Sequence, residues 1–177
     1  MGSQHPATDF PLEGLKIRES LSADCYDLAD RLRPADKREC TAHGMDPLDA
    51  LLQGLSLAQE CWTVYLHNVP VIMFGCGDAP ANLEVGDYNP GVIWMLGAEE
   101  VTCLRKRFLR ESRKWVDYFQ TQYDCLTNFI DIRNAVHHRW LVWMGFTILQ
   151  PAVEYGSHAF YRFVRFSPCA SSLPPHS

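Results

Sequence analysis

No stretch of this 177-residue sequence is apolar for long enough to span a bilayer. The longest candidate, Trp140 to Leu149, already holds Gly145 and Thr147 and falls well short of the about 20 residues a spanning helix needs. The first ten residues, Met1 to Phe10, are polar and lack the cationic start and apolar run of a secretory leader. Both absences predict a soluble protein. There is no C-x-x-C pair: the seven cysteines, Cys25, Cys40, Cys61, Cys76, Cys103, Cys125 and Cys169, are spread evenly along the chain. Metal sites and disulfide scaffolds need ligands that converge, so free thiols in a reducing cytoplasm are the expectation. No P-loop, no G-x-S-x-G elbow and no H-E-x-x-H motif occurs, and His43, His67 and His158 stand alone, so no metal is expected. Basic residues are in deficit. Sixteen Lys and Arg against 21 Asp and Glu leave a net charge of −5, which argues against a general nucleic-acid coat.

What is present is an ordinary globular composition, 47% hydrophobic and 21% charged, enough for one domain with a real core. The polar opening to Pro11 and the Ser- and Pro-rich run from Ser167 to Ser177 read as flexible ends (1–11 and 167–177) of one folded domain over 12–166. Leu21, Cys25, Leu28 and Leu32 recur at helical spacing from about Ser20, and Pro34 ends that helix. Asp46 and Pro47 open another, whose apolar side is Met45, Leu48, Leu51, Leu52 and Leu55. Cys61 to His67 and Val71 to Phe74 read as strands joined by a tight turn, with a possible earlier strand near Leu15 to Arg18, and a longer loop from Gly75 to Pro90. Gly91 to Leu96 is an apolar run suited to the middle of a sheet.

From Ala98 to Tyr123, Val101, Leu104, Phe108, Trp115, Phe119 and Tyr123 mark one helical face, opposite Arg105, Lys106, Arg107, Arg110, Arg113 and Lys114. A long helix between two apolar strands, the second being Leu126 to Ile132, is how a parallel crossover looks in sequence. A short helix from about Ala135 to Met144 stops at Gly145, and Phe146 to Gln150 and Ala159 to Phe166 close the chain as strands. The fold class is α/β.

Asn134, ten intervening residues and Gly145-Phe146 resemble the GNAT acetyltransferases, where a strand ending in Asn is followed by a short helix and a Gly-Phe pair. Closer phrases resemble the internal virion protein A family of short-tailed phages, itself acetyltransferase-like. They are Arg33-Pro34-Ala35-Asp36, Gly44 to Ala50, Ile93-Trp94-Met95-Leu96-Gly97, Phe108 to Arg113, Ile132 to Ala135, Trp140 to Phe146 and Tyr155-Gly156. The likeness spans about Leu28 to Phe166. It implies a GNAT-like fold, a mixed central sheet of six or seven strands with flanking helices. It also implies association with other phage virion proteins, located in the phage head interior and in the host cytoplasm during assembly.

Acetyltransfer is the activity the GNAT likeness implies, with acetyl-CoA as cofactor, and the residues argue against it. The family's coenzyme loop runs Arg or Gln, two residues, Gly, any residue, then Gly or Ala, so that backbone amides at a helix start meet a pyrophosphate. Here Gly97 stands with one Gly instead of two, no Arg or Gln precedes it, and Glu99 and Glu100 at the helix start would repel the phosphates. The Tyr that many members carry seven residues after the Asn, to protonate the leaving thiolate, is Leu141 here. His137 and His138 are adjacent and point about 100° apart, so they do not share one task easily. The expectation is a protein without chemistry or cofactor. The alternative is an acetyl-CoA-dependent N-acetyltransferase with a non-standard loop, using Gly97, Arg105 and Asn134. Trp140 and Trp143 are candidate interface anchors, since Trp is enriched in binding hot spots. Arg110, Arg113 and Lys114 of the basic stripe are candidates for an acidic partner surface or for DNA.

Overall fold

The computed structural model describes Pro6, residues 14–155 and residues 158–168, except for the side chains of residues 103, 105–109 and 155. The ends 1–5, 7–13 and 169–177, where flexible segments are expected, therefore lie outside the described residues almost entirely. Among the described residues eight strands form one sheet, in which the first five lie side by side in chain order, the eighth and then the sixth follow the fifth, and the seventh pairs with the eighth. β1 (Leu15–Glu19) places Leu15 and Ile17 inward and begins the first edge. Three helices follow before the sheet resumes: α1 (Ser22–Ala29), α2 (Pro34–Ala42) and α3 (Pro47–Leu57).

Pro34 does not merely end a helix. It sits at the first position of α2, where its missing N–H costs nothing because that donor has no intrahelical partner anyway. Asp46 caps α3 as its position suggests, its carboxylate accepting from the amides of Leu48 and Asp49. β2 (Glu60–Leu66) and β3 (Val69–Asp78) are a hairpin turned by His67 and Asn68, both at positive φ (50° and 66°), a conformation Asn tolerates well. β3 continues through Gly75 and Gly77, where a loop was expected. The reason is tertiary: β4 (Pro90–Gly97) pairs with it antiparallel all the way from Ile72↔Gly97 to Asp78↔Gly91.

After β4 comes a 3₁₀ segment, Glu99–Leu104, and only then α4 (Arg105–Phe119), so the helix expected to start at Ala98 starts about two turns later. α4 is the crossover to β5 (Cys125–Asp131), which runs parallel to β4. α5 (Ala135–Trp143) ends at Gly145, whose φ of 91° is open to glycine. β6 (Thr147–Ile148), β7 (Val153–Tyr155) and β8 (His158–Phe166) complete the sheet. β6 is what remains of the strand expected over Phe146 to Gln150, and the short strand β7 is the addition that makes eight where six or seven were expected.

Each face of the sheet has its own core. α1 and α3 bury Cys25, Leu28 and Leu51 against Met73. On the opposite face α4 and α5 pack Trp115, Phe119, Leu141 and Met144 over Trp62, Ile72 and Leu126. Trp62 and Trp115 pack with ring centroids 4.8 Å apart and planes tilted by 49°, and Phe74 meets Trp115 edge-on at 5.1 Å. Cys25, Cys40, Cys61, Cys76 and Cys125 are all free. Burial pushes the thiols of Cys40 and Cys61 up to about 11 and that of Cys76 up to about 12, which suppresses the nucleophilic thiolate. No helix among the described residues is long and apolar enough to cross a membrane.

Candidate functional site

β4 and β5 pair over only three residues, from Pro90↔Cys125 to Val92↔Thr127. Asn128 ends the ladder. Its side-chain amide donates to the Ile93 carbonyl at 2.9 Å across the gap, while its own Oδ1 accepts from the Phe129 amide at 2.8 Å. Beyond that point the two strands splay. A cavity of about 420 Å³ fills the opening and is lined from both faces of the sheet, by Trp94 and Leu96 on one side and by Ile93 and Met95 on the other. These four stand in mid-sheet and yet are only half-buried, because they border this space. The volume lies within the range of about 300–1,000 Å³ usual for small-molecule sites.

The far end of the splay is closed by α2. Asp36 and Glu39 are three residues apart and so share one helix face. Asp36 Oδ2 accepts from the amide of Gly97, the last residue of β4, at 2.9 Å. Glu39 Oε1 accepts from the amide of Asp131, the last residue of β5, also at 2.9 Å. One helical turn thus bridges the tips of both strands. Arg33 reinforces it with two bonds to Asp36 (3.0 and 2.9 Å) and a backbone N–H to the Gly97 carbonyl at 2.9 Å. Asn134 joins from the other side: it caps α5 by accepting from the His137 amide and also hydrogen-bonds Glu39.

Burial sets the protonation of this cluster. It lifts the carboxyl of Asp36 even though Arg33 and the Gly97 amide oppose the shift. It lifts Glu39 up to about 7, with Asp36 and Asp131 adding to the rise. A carboxyl raised in the folded state contributes stability that is complete below its unfolded value and lost as pH climbs through its folded value. For Glu39 that window runs from about 4.5 to about 7. Glu39→Gln, which keeps an acceptor for the Asp131 amide but cannot ionise, should therefore gain on the parent as pH rises. Calorimetric melting is expected to show the gap in Tm widening by about 3–6 °C between about pH 5.5 and 8.5. A gap independent of pH would show that Glu39 titrates normally.

Acetyl-CoA, which the sequence likeness implies, can be tested against the turn after β4. Three of its amides are engaged within the protein: Gly97 donates to Asp36, Ala98 to the Val71 carbonyl at 2.8 Å, and Val101 to Ala98 at 3.2 Å. Gly97 is glycine for packing reasons. A Cβ there would meet Val101 Cγ2 at 2.9 Å and the Val71 carbonyl at 3.4 Å, so its face is filled by the protein and offers no cradle to a phosphate. Glu100 is held by Arg31 at 3.2 Å, and Glu99 is exposed. The Arg105 side chain lies outside the described residues. Leu141, where an acid would stand, is buried and lines the cavity. The described residues of this turn do not fit a diphosphate tail.

His137 and His138 part company in the structure. His137 lines the cavity, and burial, followed by the charges of Arg33 and His138, pushes it down to about 3, so it stays neutral. His138 Nε2 meets the Asp131 carbonyl at 3.0 Å and its ring packs on Tyr161. Trp140 and Trp143 also separate. Trp140 packs against the core and lines the cavity, whereas Trp143 is 46% exposed, because α5 rests on the sheet through Leu141 and Met144. The Arg113 guanidinium from α4 lies over the Trp143 ring, 5.7 Å from its centroid. Arg110, Arg113 and Lys114 are exposed as expected, and Lys114 pairs with Glu111 at 2.9 Å. The remainder of the basic stripe, at 105–107, lies outside the described side chains. Among the described residues no three His, Cys, Asp or Glu converge as a metal site would require.

Reasoning from sequence missed the α2 clasp. The signal was there, in Asp36 and Glu39 one turn apart behind a proline suited to a helix start.

A mixed sheet with an antiparallel N-terminal half, a parallel β4–α4–β5 crossover and a splay between those strands is the GNAT acetyltransferase fold, and this chain has it. No protein-family model matches the chain, and no curated protein matches it in sequence. Solved structures match in shape. A GNAT-family acetyltransferase from Bacillus anthracis superposes with a TM-score of 0.59 over 86% of this chain and 94% of that one, at 12% identity. AAC(6')-Ib, solved with ribostamycin and coenzyme A, gives a TM-score of 0.62 over 93% and 99% at 15% identity. The yncA protein of Salmonella typhimurium, described as a putative acetyltransferase and solved with acetyl-CoA, gives 0.54 over 93% and 96% at 14% identity. Identities this low speak for the fold alone.

Proposed function

We propose that this chain is a GNAT-fold protein without acetyl transfer, acting by binding other proteins during assembly of a phage virion. The carrying observation is the α2 clasp, in which Asp36 and Glu39 occupy the two backbone donors at the mouth of the splay. A coenzyme seeking those two amides would have to displace both carboxylates, one of them buried and doubly bonded to Arg33. The acidic turn at Glu99 and Glu100 and the leucine at position 141 support the same reading. The phage assignment rests on the ordered phrases from Arg33 to Gly156 that resemble internal virion protein A, and with it goes a place in the head interior and in the host cytoplasm during assembly.

Thermal melting with acetyl-CoA is the direct test. A ligand at a hundred times its dissociation constant stabilises by about 2.7 kcal/mol, which is roughly 5–11 °C for a chain of this size. No shift is expected at millimolar coenzyme. A shift of that size would return the chain to the acetyltransferases, the alternative that its structural neighbours support. Co-purification from infected cells is expected to bring down other head proteins.

A further inference from the structure

We infer that the outer face of α5, with the adjoining turn of α4, is a docking surface for an acidic amphipathic helix of a partner protein; this rests on the binding reading above and names its partner class. Helix α5 is unusual in what it turns outward. Ala135, Val136, Arg139, Val142 and Trp143 lie away from Leu141, the residue it buries, and Val136, Val142 and Trp143 are 70%, 58% and 46% exposed. A surface helix ordinarily presents charged side chains there. This one presents a valine–tryptophan strip interrupted by one arginine.

The surroundings supply an excess of positive charge. Arg110 and Arg113 stand exposed on α4, Arg139 on α5 itself, and Arg113 already lies over the Trp143 ring. The acids nearest in sequence on α4 are answered within the protein, Glu111 by Lys114 and Asp117 by Arg165. On a chain of net charge −5 this strip is a local exception, and it complements an acidic partner. Val136, Arg139 and Trp143, spaced by three and four, form a ridge along α5 of the kind that packs into the groove between side-chain rows of another helix. A Trp held by a stacked guanidinium is the kind of preordered residue that dominates such interfaces. DNA suits the face less well, because Val136 and Val142 offer nothing to a phosphate and the chain as a whole repels a polyanion.

Selection of a displayed library of amphipathic helical peptides on the full chain tests the assignment. Enriched peptides are expected to carry Asp and Glu beside apolar anchors. Their binding should weaken about 30-fold in Trp143→Ala and in Arg113→Glu, and less in Arg113→Lys. Both positions are exposed, so melting temperatures should stay within about 2 °C of the parent. Peptides that are basic, that bind the variants as well as the parent, or that never enrich would overturn the docking surface. So would a DNA duplex whose binding is lost in the same variants. Acetyl-CoA melts on the same samples keep the two readings apart. A coenzyme shift defeats the binding function whatever the peptides do, while silence from both coenzyme and peptides defeats this surface alone.

Discussion

Asp36→Ala is expected to lower folding stability by about 3–5 kcal/mol, the cost typical of removing one partner from a buried ion pair. Asp36 is 1% exposed and accepts from three donors: two on Arg33 and the Gly97 amide. Alanine would leave all three without their acceptor at the point where α2 crosses the tip of β4. Arg33 keeps some access to water and can turn outward, which places the expected loss toward the lower end of that range. The Gly97 amide cannot turn, since it belongs to a strand paired with β3. Asp36→Asn should cost less. It keeps an acceptor oxygen for the Gly97 amide or for Arg33. Urea denaturation of both variants checks the order. Equal losses would mean that the charge, and not the acceptor, holds the clasp. Neither variant is expected to gain a melting shift with acetyl-CoA, because Glu99, Glu100 and Leu141 remain.

A loss of similar size is expected at the other end of the helical layer. Asp24, 3% exposed, gathers Arg18 at 2.8 Å, Thr63 at 3.0 Å, the Leu21 amide at 2.9 Å and the Tyr65 hydroxyl. It fastens α1 to β1 and β2 at once, and α1 in turn carries Cys25 and Leu28 onto Met73. Asp24→Ala should therefore cost about 3–5 kcal/mol and lower Tm by about 10 °C or more. Tyr65→Phe, which removes one of four donors and leaves the carboxylate satisfied, should cost only about 1 kcal/mol. A mild effect of Asp24→Ala would show that Arg18 and Thr63 find water easily, and that hydrophobic contacts alone seat α1.

Which features could be read in advance follows from their range along the chain. Asp46 announced α3 because a cap and its amides lie within three residues of one another. Gly145 announced the end of α5, and the β4–α4–β5 crossover followed from two apolar runs around an amphipathic helix. The extent of β3 through Gly75 and Gly77 was hidden, since two glycines signal a loop locally and only pairing with β4 holds them extended. The late start of α4 was hidden for the same kind of reason. Ala98 and Val101 are drawn onto Val71 and the core, and the chain is wound as 3₁₀ before it is free to become α-helix.

The site divides along the same line. Residue identity alone determined that the turn after β4 has one glycine, two glutamates and no basic lead, and that position 141 has no proton to give; those are chemical facts of the side chains. Tertiary structure decided that Gly97 is filled from inside, that Trp140 turns to the core while Trp143 meets Arg113, and that Asp36 and Glu39 reach amides 61 and 92 residues away. Contacts across such separations leave no local periodicity. They exist only once the strands have splayed and α2 has been carried across their tips.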